Sequence, residues 1–576
     1  MLLIICAWIY CFLLSLSIGA GTLNLISRFA GNSIRLHFNI FYRFWFGFVL
    51  VIGLLQIISI FLPVSSTTFI ILSLIAALFG VMHYKSVIRK FSLLYEKLVT
   101  PRGILSLLAV LFLLFAVAYS ANREVLHTDT FIYHFNAVKW IREYAAVPGL
   151  ANLHSRLGFN SSFFLFAAFT ETGLNQGHSS HIALSFMMAV CLIQWFFIIS
   201  NPREQVTKKI FCMLTTLFLV NHIITQIDIT SLSTDYPMSV LTLVFCLILL
   251  DRIKYKMLLL LPLSAVIFTF KLSGMLTIGF TLIMLAGYIL FVKYEERSTR
   301  KPLIKMYSIS FGLLCFVVAG FMIRNAIVSG WLVYPFPVGN LHLPWSVPTP
   351  YVLDMIDWIK SYPKIPGGAS PTTIRENDFI FWFTQWYSQF KLSTEFNILC
   401  VSLFLLALSL FQTTSFGKFI YARLNILVLV LFSAISILFW FISAPELRFG
   451  SIYFFILFAG SAVLLYEGSK HKNVLKILVY AIFIYQVINR MPSYVIDREP
   501  DLFTAPYVKP LKLKKVIGSP AGENPPLIIY MPAEGDACGN SPIPCTPYAG
   551  GFMQNHRLIR QRVRGDLSKG FLPTNN

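Results

Sequence analysis

Arg123-Glu-Val-Leu-His-Thr-Asp-Thr-Phe-Ile-Tyr-His134 follows directly on the apolar run 103–121, and this junction decides how the chain is read. An uncharged run of that length spans a hydrocarbon core of roughly 30 Å as a helix rising about 1.5 Å per residue. The charges and histidines after it begin a segment held outside the hydrocarbon. The same alternation recurs along the chain. About fourteen mainly apolar runs of crossing length appear, at 2–26, 40–62, 67–83, 103–121, 180–200, 210–226, 235–251, 257–270, 275–292, 306–325, 396–414, 425–443, 449–467 and 473–489. The chain reads as an all-α polytopic membrane protein.

Composition agrees. Of 576 residues, 57% are hydrophobic and 12% charged, and the mean hydropathy of +0.72 excludes a soluble multidomain protein. The net charge of +21 sits in short loops, where Lys and Arg act as topology determinants, so nucleic acid is not an expected partner. Basic residues fall in every second connection: Arg28/Arg35, Lys85/Arg89/Lys90/Lys97/Arg102, Arg203/Lys208/Lys209, Arg252/Lys254/Lys256, Lys293/Arg297/Arg300/Lys301/Lys305, Lys418/Arg423 and Lys470/Lys472/Lys476. The positive-inside rule makes these loops cytoplasmic. The N-terminus, with no basic residue before its first span, then lies outside as an anchor and not a cleaved leader. Two segments need a decision in this scheme. The short apolar stretch 161–172 reads as re-entrant or interfacial. The run 257–292, with Lys271-Leu-Ser-Gly274 inside it and basic loops on both flanks, reads as two short helices turning at Lys271.

The expected organisation is N-terminal spans (1–121), a first long outer loop (122–179), central spans (180–325), a Pro- and aromatic-rich outer loop (326–395), C-terminal spans (396–489) and an outer tail (490–576). The first loop carries an amphipathic pattern over 129–144 suited to a membrane surface, since Phe131/Ile132, Phe135, Val138 and Ile141 share one stripe. Surface helices are expected over 351–361 and 377–390. The tail has strand-like runs at 527–530 and 556–560, enough for a small α/β or β lobe. Seven of nine cysteines lie in apolar spans and read as small buried hydrophobes. Cys538 and Cys545, in the turn-rich Gly535-Asp-Ala-Cys-Gly-Asn-Ser-Pro-Ile-Pro-Cys-Thr-Pro547, are expected to form a local disulfide in an oxidising compartment.

Asp129, Lys271, Arg324, Glu446 and Arg448 all stand at ends of apolar runs on the side assigned as outer. Charges at such positions are costly and serve chemistry or transport. Asp129 suits a helix N-cap and equally a general base. Glu124 and Asp235, the latter in Ser231-Leu-Ser-Thr-Asp-Tyr-Pro237, are second carboxylates, and Asp235 also precedes a helix as a cap would. Lys271 inside an apolar run needs a partner, either an anionic ligand or a carboxylate. With Arg324 and Arg448 it forms a candidate phosphate-binding set, because guanidinium groups match phosphate oxygens bidentately. His127, His134 and His154 raise a divalent metal, yet none has strong ligand spacing, and no resident metal or other cofactor is assigned. No nucleotide-binding loop or nucleophile elbow is present, so ATP-driven chemistry is unsupported.

The order of these features resembles the GT-C class of integral-membrane glycosyltransferases. Thr128-Asp-Thr-Phe-Ile-Tyr-His-Phe-Asn136 is followed by Thr234-Asp-Tyr-Pro237, Lys271-Leu-Ser-Gly274, Arg324-Asn325 with the Gly330 to Pro337 loop, and Pro445-Glu-Leu-Arg-Phe449. Val147 to Ser162 and Pro544-Cys-Thr-Pro-Tyr548 are similar to a little-characterised bacterial branch with an extracytoplasmic tail. The resemblance implies a GT-C-like fold in a bacterial cytoplasmic membrane, with active site and C-terminus outside. It implies inverting transfer of a sugar from a polyprenyl-phosphate donor to a glycan, lipid or protein acceptor, with Asp129 as base. His127, Tyr133, His134, His154, Arg156, Asn160, Asn325 and Tyr334 would then contact acceptor or sugar, among membrane lipids. Thr128-Asp129-Thr130 stands where the family carries an Asp-Glu or Asp-x-Asp pair. Two other classes fit a many-span protein with edge charges: a transporter or flippase of lipid-linked or anionic substrates, and a polysaccharide polymerase.

Overall fold

The computed structural model describes residues 1–30, 36, 38–82, 100–224, 228–292, 297–411, 416–490, 501–503, 505–506, 508, 511–517, 526–547 and 560–573. Arg35, Lys85, Arg89, Lys90, Lys97, Lys293, Tyr548 and the run His556–Ile559 lie outside the described residues.

All fourteen apolar runs contain helix, but they are not fourteen equal crossings. Among the described residues, ten helices are long and apolar enough to cross a membrane: Leu2–Ala30, Ile40–Phe61, Pro101–Ala121, Ser179–Ser200, Val206–Ile223, Leu272–Leu290, Arg300–Ser329, Thr394–Phe411, Leu424–Ser443 and Leu447–Gly468. Three more, Ser66–Met82, Asp235–Leu250 and Met257–Phe270, are shorter, and Lys472–Arg490 is helical but amphipathic and Lys-bearing. A helix of 16 residues reaches only about 24 Å, less than a hydrocarbon core. Local sequence sets these lengths: Asp235 and Asp251 flank one short helix, and the chain is extended at Lys271 after the other.

Burial sorts the helices into a centre and a rim. Every residue of Asp235–Leu250 is buried, and only Phe268 of Met257–Phe270 is not. Rim helices turn large apolar side chains outward, such as Leu105 at 69%, Ile283 at 72% and Phe404 at 62% exposure. Such a surface suits lipid and not water. Leu2–Ala30 and Ile40–Phe61 cross where small residues let the backbones meet: a Cβ on Gly47 would lie 1.7 Å from Ser15 O, and one on Gly19 2.0 Å from Arg43 O. Small residues at helix crossings are what association without a hydrophobic driving force requires.

The run 257–292 folds as two helices joined by a 3-10 turn over Leu272–Gly274. The second doubles back along the first, with Thr277 Oγ1 donating to Ser264 O at 3.4 Å. The stretch 161–172 forms a helix Ser162–Thr170 whose nine residues are all buried. It is an internal helix and not an interfacial one, because protein surrounds it on every face. The amphipathic segment 129–144 is also covered. A π turn, Thr130–His134, leads into Phe135–Glu143, and the tail packs on it.

That tail is a small β lobe. Leu513–Ile517 pairs antiparallel with Ile528–Pro532, and Arg560–Gln561 with Phe571–Leu572. Cys538 and Cys545 are disulfide-bonded. Gly539 N donates to Phe131 O at 2.6 Å, Lys139 Nζ to Ser541 O at 3.0 Å, and Phe571 packs against Trp140. Leu2 N donates to Leu502 O, so the N-terminus, the first long loop and the tail share one end of the bundle. Of the seven span cysteines, Cys11, Cys191, Cys212 and Cys246 are buried, whereas Cys6, Cys315 and Cys400 face outward from the bundle.

Candidate functional site

Three helix beginnings and one helix break meet at that end. Asp129 lies in the first turn of the loop helix, Asp235 opens Asp235–Leu250, Lys271 sits in the break, and Arg448 is in the first turn of Leu447–Gly468. Helix N-termini carry partial positive charge and favour anions, which fits both carboxylates.

Arg448 is the shared member. Its Nη2 is 3.0 Å from Asp129 Oδ2 and its Nε 4.0 Å from Asp235 Oδ2. Lys271 Nζ pairs with the other oxygen of Asp235 and lies 3.4 Å from the centre of the Phe449 ring. Arg156 Nη1 reaches Asp129 Oδ1 at 3.3 Å and stacks its guanidinium over Tyr133. Neither aspartate acts as a cap. Asp129 makes no capping hydrogen bond, because the two arginines claim its carboxylate. The cap before Asp235 is Thr234, and Ser233 Oγ donates to Asp235 Oδ2.

Burial alone would raise the Asp129 carboxyl. Arg448 and Arg156 outweigh it, with His134 and His127 adding to them only at the acid pH where those rings are charged, and the group is held down at about 2. Burial lowers His127 and lowers His134 well below the ordinary imidazole value, so both rings are neutral near pH 7. One tautomer pattern then satisfies the contacts around them. Arg448 Nη1 donates to His127 Nε2 at 3.4 Å, and His127 Nδ1 donates to Thr130 Oγ1 at 3.3 Å. Leu232 N also donates to Thr130 Oγ1, whose hydroxyl proton goes to His134 Nδ1 at 3.2 Å. Thr130 as a hub was not singled out from the sequence. The signal was present, since residues 127, 130 and 134 share one face at helical spacing.

The other residues singled out from the sequence are dispersed. Arg324 does not join Lys271 and Arg448. It is 6% exposed, with Nη1 3.5 Å from Ser59 Oγ and Nε without a hydrogen-bond partner. Its helix turns it toward Ile40–Phe61 and away from the cluster. Glu124 is exposed and offers its carbonyl to Thr230. His154 is buried 6.5 Å from the Tyr133 ring. Asn160 adopts a left-handed conformation and donates to Phe321 O. Asn325 donates to Leu332 O, and Tyr334 is fully buried with Trp331 and Val347 in a small apolar cluster. Asn325 and Tyr334 thus help hold the loop after Ser329 together. Among the described residues no group of three or more His, Cys, Asp or Glu is placed to hold a metal ion.

Beside the cluster is a cavity of about 250 Å³, bounded by Tyr362, Pro363, Ile365 to Gly368, one end of Phe379–Phe390 and Pro445–Leu447. Glu446 lines it. Burial, then Asp235 and Asp129, raise this carboxyl against the pull of Arg448 and Lys271.

No curated protein and no solved structure matches this chain. A family model described as "Domain of unknown function (DUF8201)" matches residues 1–455, a range that takes in Asp129, Asp235, Lys271, Glu446 and Arg448, and the chain belongs to that family.

Proposed function

We propose that this protein is a GT-C-like inverting glycosyltransferase of a bacterial cytoplasmic membrane. It moves a sugar from a polyprenyl-phosphate donor to a cell-envelope acceptor at the outer face. The observation that carries the reading is Arg448 held between Asp129 and Asp235, with Lys271 on Asp235. Two cations and two carboxylates at the mouth of an apolar bundle suit a reaction that takes a proton from a hydroxyl while charge develops on a phosphate. In this reading the fourteen apolar helices all cross. The short central ones do so inside a protein shell, where they need not match the bilayer thickness.

The acceptor oxygen forms a bond to the anomeric carbon from the face opposite the leaving phosphate. The carbon–oxygen bond to phosphate breaks, its electron pair leaves with the lipid phosphate, and the acceptor proton passes to Asp129. Lys271 and Arg448 stabilise the departing phosphate. A carboxyl held at about 2 is a weak base while Arg448 grips it. A donor phosphate that draws Arg448 to itself removes the largest of those charges, and Asp129 becomes more basic only once donor is bound. The base is thereby tied to donor occupancy.

The test is release of lipid phosphate from polyprenyl-phosphate sugars by purified protein. Asp129→Asn should remain folded and membrane-inserted yet lose nearly all release. Normal transfer by that variant removes Asp129 as base. Uptake of substrate into vesicles without turnover of any donor supports a transporter instead. Acceptance only of donors bearing an oligosaccharide supports a polymerase.

A further inference from the structure

The cavity beside the charge cluster has features that the transfer chemistry does not use. Its walls are Tyr362, Pro363 and Ile365 to Gly368, then Trp386, Gln389 and Phe390, then Pro445 to Leu447. Gly368 has φ of +100°, and a Cβ there would lie 2.4 Å from the Tyr362 ring. The glycine thus lets the ring lie flat against the backbone. Trp386 is fixed on the far wall by donating Nε1 to Pro445 O at 2.9 Å and by stacking on Phe390 at 4.6 Å. The polar side chains in the lining are those of Tyr362, Gln389 and Glu446. Glu446 has no hydrogen-bond or ion-pair partner for its carboxylate among the described residues, although the chain on either side is tied down by Trp440 Nε1 on Glu446 O at 2.7 Å. It precedes Leu447–Gly468 without making a capping bond. Gln389 is exposed.

Flat aromatic and Pro/Gly walls with one carboxylate and one amide match a ring that has apolar C–H faces and a rim of hydroxyls. A phosphate or other anion does not fit, because the carboxylate would repel it. Nor does a fully apolar chain, because Glu446 and Gln389 would lose water without a partner. Leu447 closes the wall, and the next residue, Arg448, reaches Asp129. A ring in the cavity therefore sits next to the proposed reaction centre.

We infer that this cavity is a saccharide subsite that holds one pyranose ring of a glycan acceptor, with Glu446 and Gln389 taking its hydroxyls. The inference rests on the transferase reading for its role but not for its binding. The full chain in lipid nanodiscs would be titrated with a panel of neutral methyl pyranosides and read by saturation-transfer NMR. At least one should bind saturably, and Glu446→Ala and Gln389→Ala should each weaken it tenfold or more at unchanged thermal unfolding. Failure of every sugar to bind overturns the subsite, and so does unchanged affinity in both variants. Lipid-phosphate release by the same preparation separates the two ideas. Sugar binding without release keeps the subsite and removes the transferase, whereas release without saturable binding does the reverse.

Discussion

The helix Asp235–Leu250 has a carboxylate at either end, and the two ends keep different company. At the far end Asp251 accepts from Tyr42 Oη at 2.7 Å and pairs with Lys208 at 3.0 Å, with side-chain exposures of 7% and 10%. Lys208 is further held by Glu204. Each charge there has its partner and the site is shut. At the near end Asp235 shares Lys271 and Arg448 with Asp129, Arg448 is 33% exposed, and Glu446 beside it faces a cavity. Similar residues thus build a strut at one end and an open, over-connected charge cluster at the other. A closed ion pair stabilises by being left alone. An open one can exchange a partner for a ligand.

The sharpest way to break this contrast is to remove one carboxylate from each end. Asp129→Asn should lower lipid-phosphate release by about 10²–10⁴-fold, the usual weight of a positioned base, with a smaller loss of thermal stability than a change at the shut end. Asp251→Ala should do the opposite: it strands part of a buried ion pair, costs about 3 kcal/mol, and leaves turnover per folded molecule unchanged. Calorimetry alongside release assays separates the two outcomes, and a matched loss of both properties in each variant would erase the distinction.

A second contrast lies between the cations. Lys271→Gln and Arg448→Gln should each raise the donor KM about tenfold or more, the weight of a charge-assisted hydrogen bond of about 1.5–3 kcal/mol. Arg324→Gln should change it less than about threefold, a difference of under about 0.7 kcal/mol, since Ser59 and not the cluster is its neighbour. An equal effect at Arg324 would show that the donor reaches deeper into the bundle.

Acid sharpens the comparison further. Asp129 is held below the unfolded value of about 3.9, so its pairing stabilises the fold above that pH. The contribution is lost as pH falls through about 4 toward 2. Thermal unfolding of the wild type should therefore drop across that window by more than that of Asp129→Asn. Parallel curves would mean that the arginines contribute nothing there. The most local effect is expected in the tail. Reducing Cys538–Cys545 opens a short loop, about 2–3 kcal/mol by chain entropy, and should show as faster proteolysis within 526–547 with the bundle intact.

Much of this molecule was legible from its sequence because a bilayer accepts so few backbone solutions. Long uncharged runs had to be helices, the break at Lys271 followed from one costly charge, and the Cys538–Cys545 pair followed from its turn-rich spacing. Asp129, Asp235, Lys271 and Arg448 were legible for the same reason, as charges at apolar edges. Arg324 carried the same mark and belongs elsewhere, since hydropathy gives depth and not rotation about the helix axis. Asn325 is a related case: its amide donates to Leu332 O within the following loop, and a polar atom in the sequence does not say whether its partner is substrate or the chain itself.

Sequence by itself determined the solvent this protein lives in and the helices it forms, because hydropathy and length act locally along the chain. Only the tertiary structure decided that four edge charges from 129 to 448 share partners while a fifth does not. It alone decided that the apolar stretch 161–172 is interior, and that Glu446 borders a cavity. Those outcomes depend on how helices rotate and pack against one another, which side-chain volume and close backbone approach set across hundreds of residues.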